Sequence, residues 1–216
     1  MGPKLPSLPD KIYFFRHAES VGNRRGLDDN SLKTLANHLF PITEDVGVPQ
    51  AKALADYVKE KNILSECAEI YVTNFLRTQM TLDIVLKGQN HGLPIYQDSR
   101  LDEWWKGIYH SMNAAERAKH YPAEEEIAKR EGWYQYRPPQ GESGKDVELR
   151  LLSFLHDLSH VPFISGHGRV GGFLDRLLCK RKLDLNCNYP NPKNCELWLF
   201  SRNGDAYCRT SLFTPM

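Results

Sequence analysis

Apolar residues fall along this chain in short continuous runs separated by stretches of helical period, the pattern of doubly buried strands laid between helices. Residues 12–15 (Ile-Tyr-Phe-Phe) form the first run, 70–73 the second and 161–165 the third, where Pro162 is tolerated near a strand's start. A helical face made by Ala51, Leu54, Ala55 and Val58 predicts a helix over 43–58, with first turns weakened by Gly47 and Pro49. A second helix follows the second strand, with Asn74 as its N-cap, Lys87 in its last turn and Gly88 as its stop. Val147, Leu151, Phe154, Leu155 and Leu158 line one face of a helix over 146–159, and Ser143 and Asp146 are spaced as a capping box. Val170, Phe173, Leu174, Leu177 and Leu178 mark another helix. Residues 196–202 and 205–210 flank Asn203-Gly204, a strong short-range hairpin signal. The alternation predicts an α/β three-layer sandwich, a mostly parallel central sheet flanked by helices.

Between 103 and 140 the composition shifts to acidic runs, scattered aromatics and Pro138-Pro139. This reads as a helical insertion, about 104–140, over the ligand-binding edge of a single domain spanning 1–216. The chain has 216 residues, with 28 Lys and Arg against 27 Asp and Glu, a net charge of +1. Near-neutrality removes the electrostatic footprint of a nucleic-acid binder, so no nucleic-acid partner is expected. No stretch reaches the ~20 apolar residues of a membrane span, and a soluble, cytoplasmic protein without a membrane partner is expected. Five cysteines, at 67, 179, 187, 195 and 208, form neither a disulfide framework nor a zinc-ribbon spacing. His156 and His160 are four apart on one helix without a third ligand, so no metal site is called.

Two histidines occupy equivalent places. His17 follows the first strand in Arg16-His17-Ala18-Glu19-Ser20, and His167 follows the third in Ser165-Gly166-His167-Gly168. Arg77 stands just inside the helix after the second strand. Open α/β sheets bind ligands beyond the carboxyl ends of their strands, so parallel neighbours would bring Arg16, His17, Arg77 and His167 together. Two guanidiniums and two imidazoles, with no thiol beside them in sequence, suit a tetrahedral dianion: forked N–H donors match phosphate oxygens. An imidazole is also nucleophilic enough at neutral pH to attack phosphorus without a separate base.

Arg16-His17-Ala18-Glu19-Ser20 with Asn23 resembles the opening motif of the histidine phosphatase superfamily, the phosphoglycerate-mutase-like proteins. Four further segments resemble that family in order: Pro41 to Ala51, Val72 to Thr78, Arg100-Leu101-Asp102-Glu103 with Gly107, and Tyr136 to Ser143. The last of these, together with Asn194-Cys195-Glu196, resembles the phosphatase-like branch. The resemblance implies His17 as nucleophile, and Arg16, Asn23, Arg77, His167 and Gly168 as phosphate-binding residues. It implies Glu103 as general acid and then base; a carboxyl protonated at neutral pH needs an apolar wall, and the adjacent Trp104 and Trp105 are candidates for it. Arg24, Arg25 and Arg169 are candidate substrate contacts; Asn74 and Met80 stand where the family more often has proline and glutamine. No metal or cofactor is implied. The expected partner is a small phosphorylated substrate or a phosphoprotein, and the exposed hairpin edge offers a surface for a homodimer.

Three alternatives stay open or fall at this point. Gly166-His167-Gly168-Arg169-Val170-Gly171 spells the dinucleotide fingerprint, but only about 30 residues follow Asp184, too few for a cofactor domain. A phosphoglycerate-mutase-type phosphotransferase would use the same pocket, and a catalytically inactive phosphate-binding module would keep its shape.

Overall fold

The computed structural model describes residues 8–24, 37–109, 112 and 114–215. Six strands form one sheet: β1 (Lys11–Arg16), β2 (Glu69–Val72), β3 (Ile95–Gln97), β4 (Pro162–Gly166), β5 (Leu197–Asn203) and β6 (Ala206–Phe213). Their order is β3-β2-β4-β1-β5-β6. The pairs β2–β3, β2–β4 and β1–β4 are parallel, and β5 runs antiparallel to both of its neighbours. β1 and β4 are buried along their lengths, as continuous apolar runs require of central strands. β3 had no signal in the sequence. It is three residues long and exposed throughout, so no hydrophobic pattern marks it.

The helices are α1 (Gly47–Glu60), α2 (Leu76–Leu86), α3 (Ala114–His120), α4 (Pro122–Glu131), α5 (Gly144–Asp157) and α6 (Gly168–Leu178). Alternate β1 residues feed opposite cores. Ile12 and Phe14 pack with α5 and α6, whereas Tyr13 and Phe15 pack with α1 and α2. The three layers follow from that alternation. No described helix is long and apolar enough to cross a membrane.

Local chemistry explains most helix boundaries. Ser143 and Asp146 form the reciprocal capping box expected at the start of α5. α1 starts at Gly47, four residues later than its periodicity suggested, because the Thr43 hydroxyl accepts the Gly47 N–H (2.9 Å) ahead of Pro49. Asn74 does not cap α2, contrary to expectation. Its backbone N–H and side-chain amide both donate to the Asp102 carboxylate at 3.0 Å, and Phe75 takes the cap position without a side-chain bond. In the β5–β6 hairpin Asn203 pairs with Ala206, so Gly204 and Asp205 make the turn, one residue beyond the sequence reading. Gly204 there adopts φ +61°, which glycine reaches without strain.

The inserted segment carries α3 and α4 and a small aromatic core of Tyr109, Ala128 and Tyr136, with Trp133 against it. Trp104 joins this core to the main one by edge contacts with Trp133 and Phe173.

Candidate active site

Strand register brings the chemistry together. Arg16 lies opposite Gly166 in the β1–β4 pair, and Val72 lies opposite Ser165 in the β2–β4 pair. The next residues, His17, His167 and Thr73, therefore leave the sheet side by side at its carboxyl edge. The His17 N–H donates to the Gly166 carbonyl (3.0 Å), extending the ladder by one bond. α2 starts from the same edge and delivers Arg77 from its first turn. The imidazole rings of His17 and His167 meet edge to face with centroids 5.3 Å apart.

Hydrogen bonds fix both tautomers. His17 Nδ1 stands 2.7 Å from the Ala18 carbonyl, an acceptor only, so Nδ1 carries the proton. His17 Nε2 then presents its lone pair, which accepts from Arg77 Nε at 3.2 Å. Two threonines fix the His167 tautomer. Thr78 donates its hydroxyl to the Phe75 carbonyl (2.6 Å), so Thr73 donates to Thr78 (2.8 Å) and must accept from His167 Nε2–H (3.0 Å). His167 Nδ1 is left as an acceptor 3.4 Å from Arg77 Nη2. One guanidinium thus spans both rings. The sequence assigned no role to the backing threonines: Thr73 directly follows β2, and Thr78 is the third residue of α2.

Burial and charge keep both rings neutral. His17 and His167 are buried, and desolvation first, then the Arg77 guanidinium, hold both well below the ordinary histidine value of 6.5. Unfolding releases these rings to bind protons from about pH 6.5 downward, so the folded state loses stability as pH falls below that value. The limiting slope is about 1.4 kcal/mol per pH unit for each ring. Urea titrations at pH 7.5, 6.5 and 5.5 are expected to show this loss, with a shallower slope in His167→Asn; equal slopes in the two proteins would contradict it.

Arg16 borders the site from β1. Its Nη1 donates to the Pro192 carbonyl (3.1 Å), while Nε is buried without a hydrogen-bond partner among the described residues. Burial lowers its pKa. A Cβ on Gly168 would stand 3.3 Å from that Nε, so this glycine leaves room for the guanidinium at the start of α6. Cβ atoms on Gly166 and Gly171 would lie 2.6 and 2.8 Å from the Phe14 ring. The dinucleotide-like spacing is thereby explained as close packing of α6 on β1. Cys195 lies beside Arg16, its backbone N–H donating to the Arg16 carbonyl (3.0 Å). Burial pushes that thiol up to about 12, so it stays protonated and is no nucleophile.

Glu103 approaches from the acid-bearing segment, Oε2 standing 3.9 Å from His167 Nδ1 and Oε1 accepting from the Trp104 N–H (2.9 Å). The Asn74–Asp102 bonds tie this segment to the start of α2. Trp104 turns into the core, and Trp105 is exposed with its indole N–H on the Gln140 carbonyl. Asn23 is exposed and accepts from the Ser20 N–H (3.0 Å). Asn194 links it to the loop after β1, donating from one amide nitrogen to the His17 carbonyl (2.9 Å) and to Asn23 Oδ1 (3.4 Å). Arg24 is held by Glu19 and Asp45, each at 2.7 Å. Arg25 lies outside the described residues. Arg169 donates to the Cys187 carbonyl (3.3 Å).

The arrangement is two neutral imidazoles, two guanidiniums and one carboxylate at the end of a parallel sheet. A family model for the histidine phosphatase superfamily (branch 1) matches residues 12–170. The chain belongs to that superfamily. Among superfamily relatives, a phosphoglycerate mutase-like protein of Arabidopsis thaliana, AT74H, is 31% identical over 163 residues, 70% of this chain and 54% of its own. A 6-phosphofructo-2-kinase/fructose-2,6-bisphosphatase of the same plant is 32% identical over 150 residues, 69% of this chain and 18% of its own. The chain therefore spans about half of the first relative and under a fifth of the second. An alpha-ribazole phosphatase from Shigella flexneri shares the fold, with a TM-score of 0.75 at 20% identity over 94% of this chain and 95% of that one. A mycobacterial glucosyl-3-phosphoglycerate phosphatase, solved with inorganic phosphate, gives 0.66 at 18% over 94% and 95%.

Proposed function

We propose that the protein is a metal-independent phosphomonoester hydrolase that works through a phosphohistidine on His17. The observation that carries this reading is the His17 ring itself. Its Nδ1 proton is fixed on the Ala18 carbonyl, and its Nε2 lone pair is presented beneath Arg77 in a neutral, buried imidazole. Membership of the superfamily supports it at the level of class.

The chemistry runs in two displacements. His17 Nε2 forms a bond to phosphorus as the ester P–O bond breaks, and the departing electron pair takes a proton from the Glu103 carboxyl. Water then bonds to phosphorus and gives a proton back to Glu103. The P–N bond breaks and its electron pair returns to Nε2. Arg16 and Arg77 hold non-bridging oxygens, and His167 donates to a third after the arriving dianion brings a proton to its Nδ1, with Asn23 and the Gly168 N–H as further donors. Uncatalysed phosphate-ester hydrolysis is slow enough to require up to ~10²¹-fold acceleration, and one general acid supplies only ~10²–10⁴. Most of the rate must come from this fixed cationic clamp.

The deciding experiment is to quench turnover of a ³²P-labelled phosphomonoester in base, where phosphohistidine survives, with a chelator present throughout. Label on the peptide carrying His17, lost in acid, with inorganic phosphate as the product, is the expected result. Unlabelled protein during turnover, label on another residue, or loss of turnover with the chelator would overturn the reading. Glu103→Gln is expected to slow alkyl phosphates ~10²–10³-fold. With p-nitrophenyl phosphate, whose leaving oxygen needs no proton, the variant should show a burst of nitrophenol before a slow steady state, because phosphohistidine accumulates.

A further inference from the structure

One ammonium beside the site lacks a counter-charge. Lys106 lies three residues beyond Glu103, on a turn stitched to residues 139–142. The Ile108 N–H donates to the Pro139 carbonyl (3.2 Å), the Glu142 N–H to the Trp105 carbonyl (2.8 Å), and the Trp105 N–H to the Glu142 carboxylate (3.1 Å). Gly107 holds φ +53°, and a Cβ there would stand 2.1 Å from the Pro139 carbonyl oxygen, so the turn has one geometry.

Lys106 Nζ sits 5.0 Å from the ring centroids of both Trp104 and Trp133. Two indole faces stabilise a cation but neutralise none of its charge. Among the described residues, no carboxylate or hydrogen-bond acceptor meets this ammonium. Arg117 shares the Trp133 face, yet it is paired with Glu125 at 3.1 Å. Among the described residues Arg169, the second residue of α6, also has no carboxylate partner, and it donates to the Cys187 carbonyl. Burial first, then the charges of Arg169 and Arg117, lower the Lys106 pKa to about 8, against an opposing pull from Glu103. Arg16 in turn feels both Glu103 and Arg169. The groups share one field. Among the described residues neither Lys106 nor Arg169 is paired with a carboxylate, so a second anion beside the phosphoryl group meets two cations there.

We propose that Lys106 and Arg169 form a second anion subsite on the leaving-group side of the phosphoryl pocket. The preferred substrate is then a phosphomonoester whose leaving group carries its own carboxylate or phosphate. This inference rests on the hydrolase reading above. The side of the pocket follows from Glu103, which serves the departing oxygen and lies on the same turn as Lys106. An anion there completes the ion pair that the fold withholds from Lys106, and the indoles fix the ammonium in advance so that little side-chain freedom is lost on binding.

Matched substrates test this. Phosphoglycolate and 2-hydroxyethyl phosphate differ only in a carboxylate against a hydroxymethyl group, and butane-1,4-diol bisphosphate and monophosphate repeat the comparison at longer reach. In the wild type, kcat/KM for the doubly anionic member of at least one pair is expected to exceed its partner's tenfold or more. That ratio should fall at least tenfold in Lys106→Met and in Arg169→Met, through KM, and should return in Lys106→Arg. A wild-type ratio below about three in both pairs, or an unchanged ratio in Lys106→Met, overturns the subsite while turnover and phosphohistidine leave the hydrolase reading standing. Failure to turn over any of the four substrates or p-nitrophenyl phosphate, with no phosphohistidine formed, overturns that reading and this one with it.

Discussion

Replacing His17 by alanine is expected to lower phosphomonoester hydrolysis at least ~10⁴-fold and to abolish covalent labelling altogether. The size of the effect follows from what would be left. Arg16 and Arg77 still bind the phosphoryl group, but no second imidazole at the site presents an unprotonated Nε2. His167 cannot substitute, because Thr73 takes its Nε2 proton and its Nδ1 faces Arg77 and Glu103. Nor can Cys195, whose thiol burial keeps protonated. The ring is buried against Arg77, so alanine opens a cavity, and His17→Asn serves as a variant of closer volume. Both should retain affinity for inorganic phosphate or vanadate, measured by calorimetry, because the clamp is made by other residues. Residual hydrolysis within a hundredfold of wild type in either variant would remove His17 from the role of nucleophile.

Replacing Arg77 by alanine is expected to cost about 10³-fold in kcat/KM and to move the acid limb of the pH–rate profile upward. The rate loss reflects removal of a forked donor preorganised where charge sits on the transferring oxygens, where one such donor alone supplies ~10²–10³. The pH shift has its own cause. Arg77 is the leading charge among those that hold the His17 and His167 pKa values down. Without it protonation of His17 occurs nearer 6.5. Protonated Nε2 has no lone pair, so activity is lost as pH falls through that raised value. Arg77→Lys separates the two effects: it keeps a positive charge and hence the low limb, but it has no fork to span both rings. A limb that stays in place in Arg77→Ala would show that burial alone sets the histidine pKa.

Much of this architecture was legible in the chain. The buried runs at β1, β2 and β4 and the stripes on α5 and α6 announced themselves because each is long enough for period to show. The capping box at Ser143 is a purely local device, and it formed as spaced. Reading failed where a partner distant in sequence competed for a residue. Asn74 had the chemistry of an N-cap but gave both of its donors to Asp102, a carboxylate accepting two bonds. β3 exists only because β2 offers an open edge, and nothing in Ile95-Tyr96-Gln97 forecasts that. The glycines around His167 matched a nucleotide fingerprint by spacing alone, whereas their cause is the Phe14 ring and the Arg16 side chain beneath α6.

By itself the sequence determined the layered α/β scaffold and the set of groups to be gathered: His17, His167, Arg16, Arg77 and Glu103. It could do so because strand and helix periods are local, and because residues that follow parallel strands share one edge. Only the tertiary structure decided which nitrogen of each histidine carries the proton. It alone showed that threonines 73 and 78 fix one ring and that Lys106 lies against two indoles with no carboxylate partner among the described residues. Hydrogen-bond direction and desolvation depend on atoms contributed from across the fold, and those no neighbouring residue specifies.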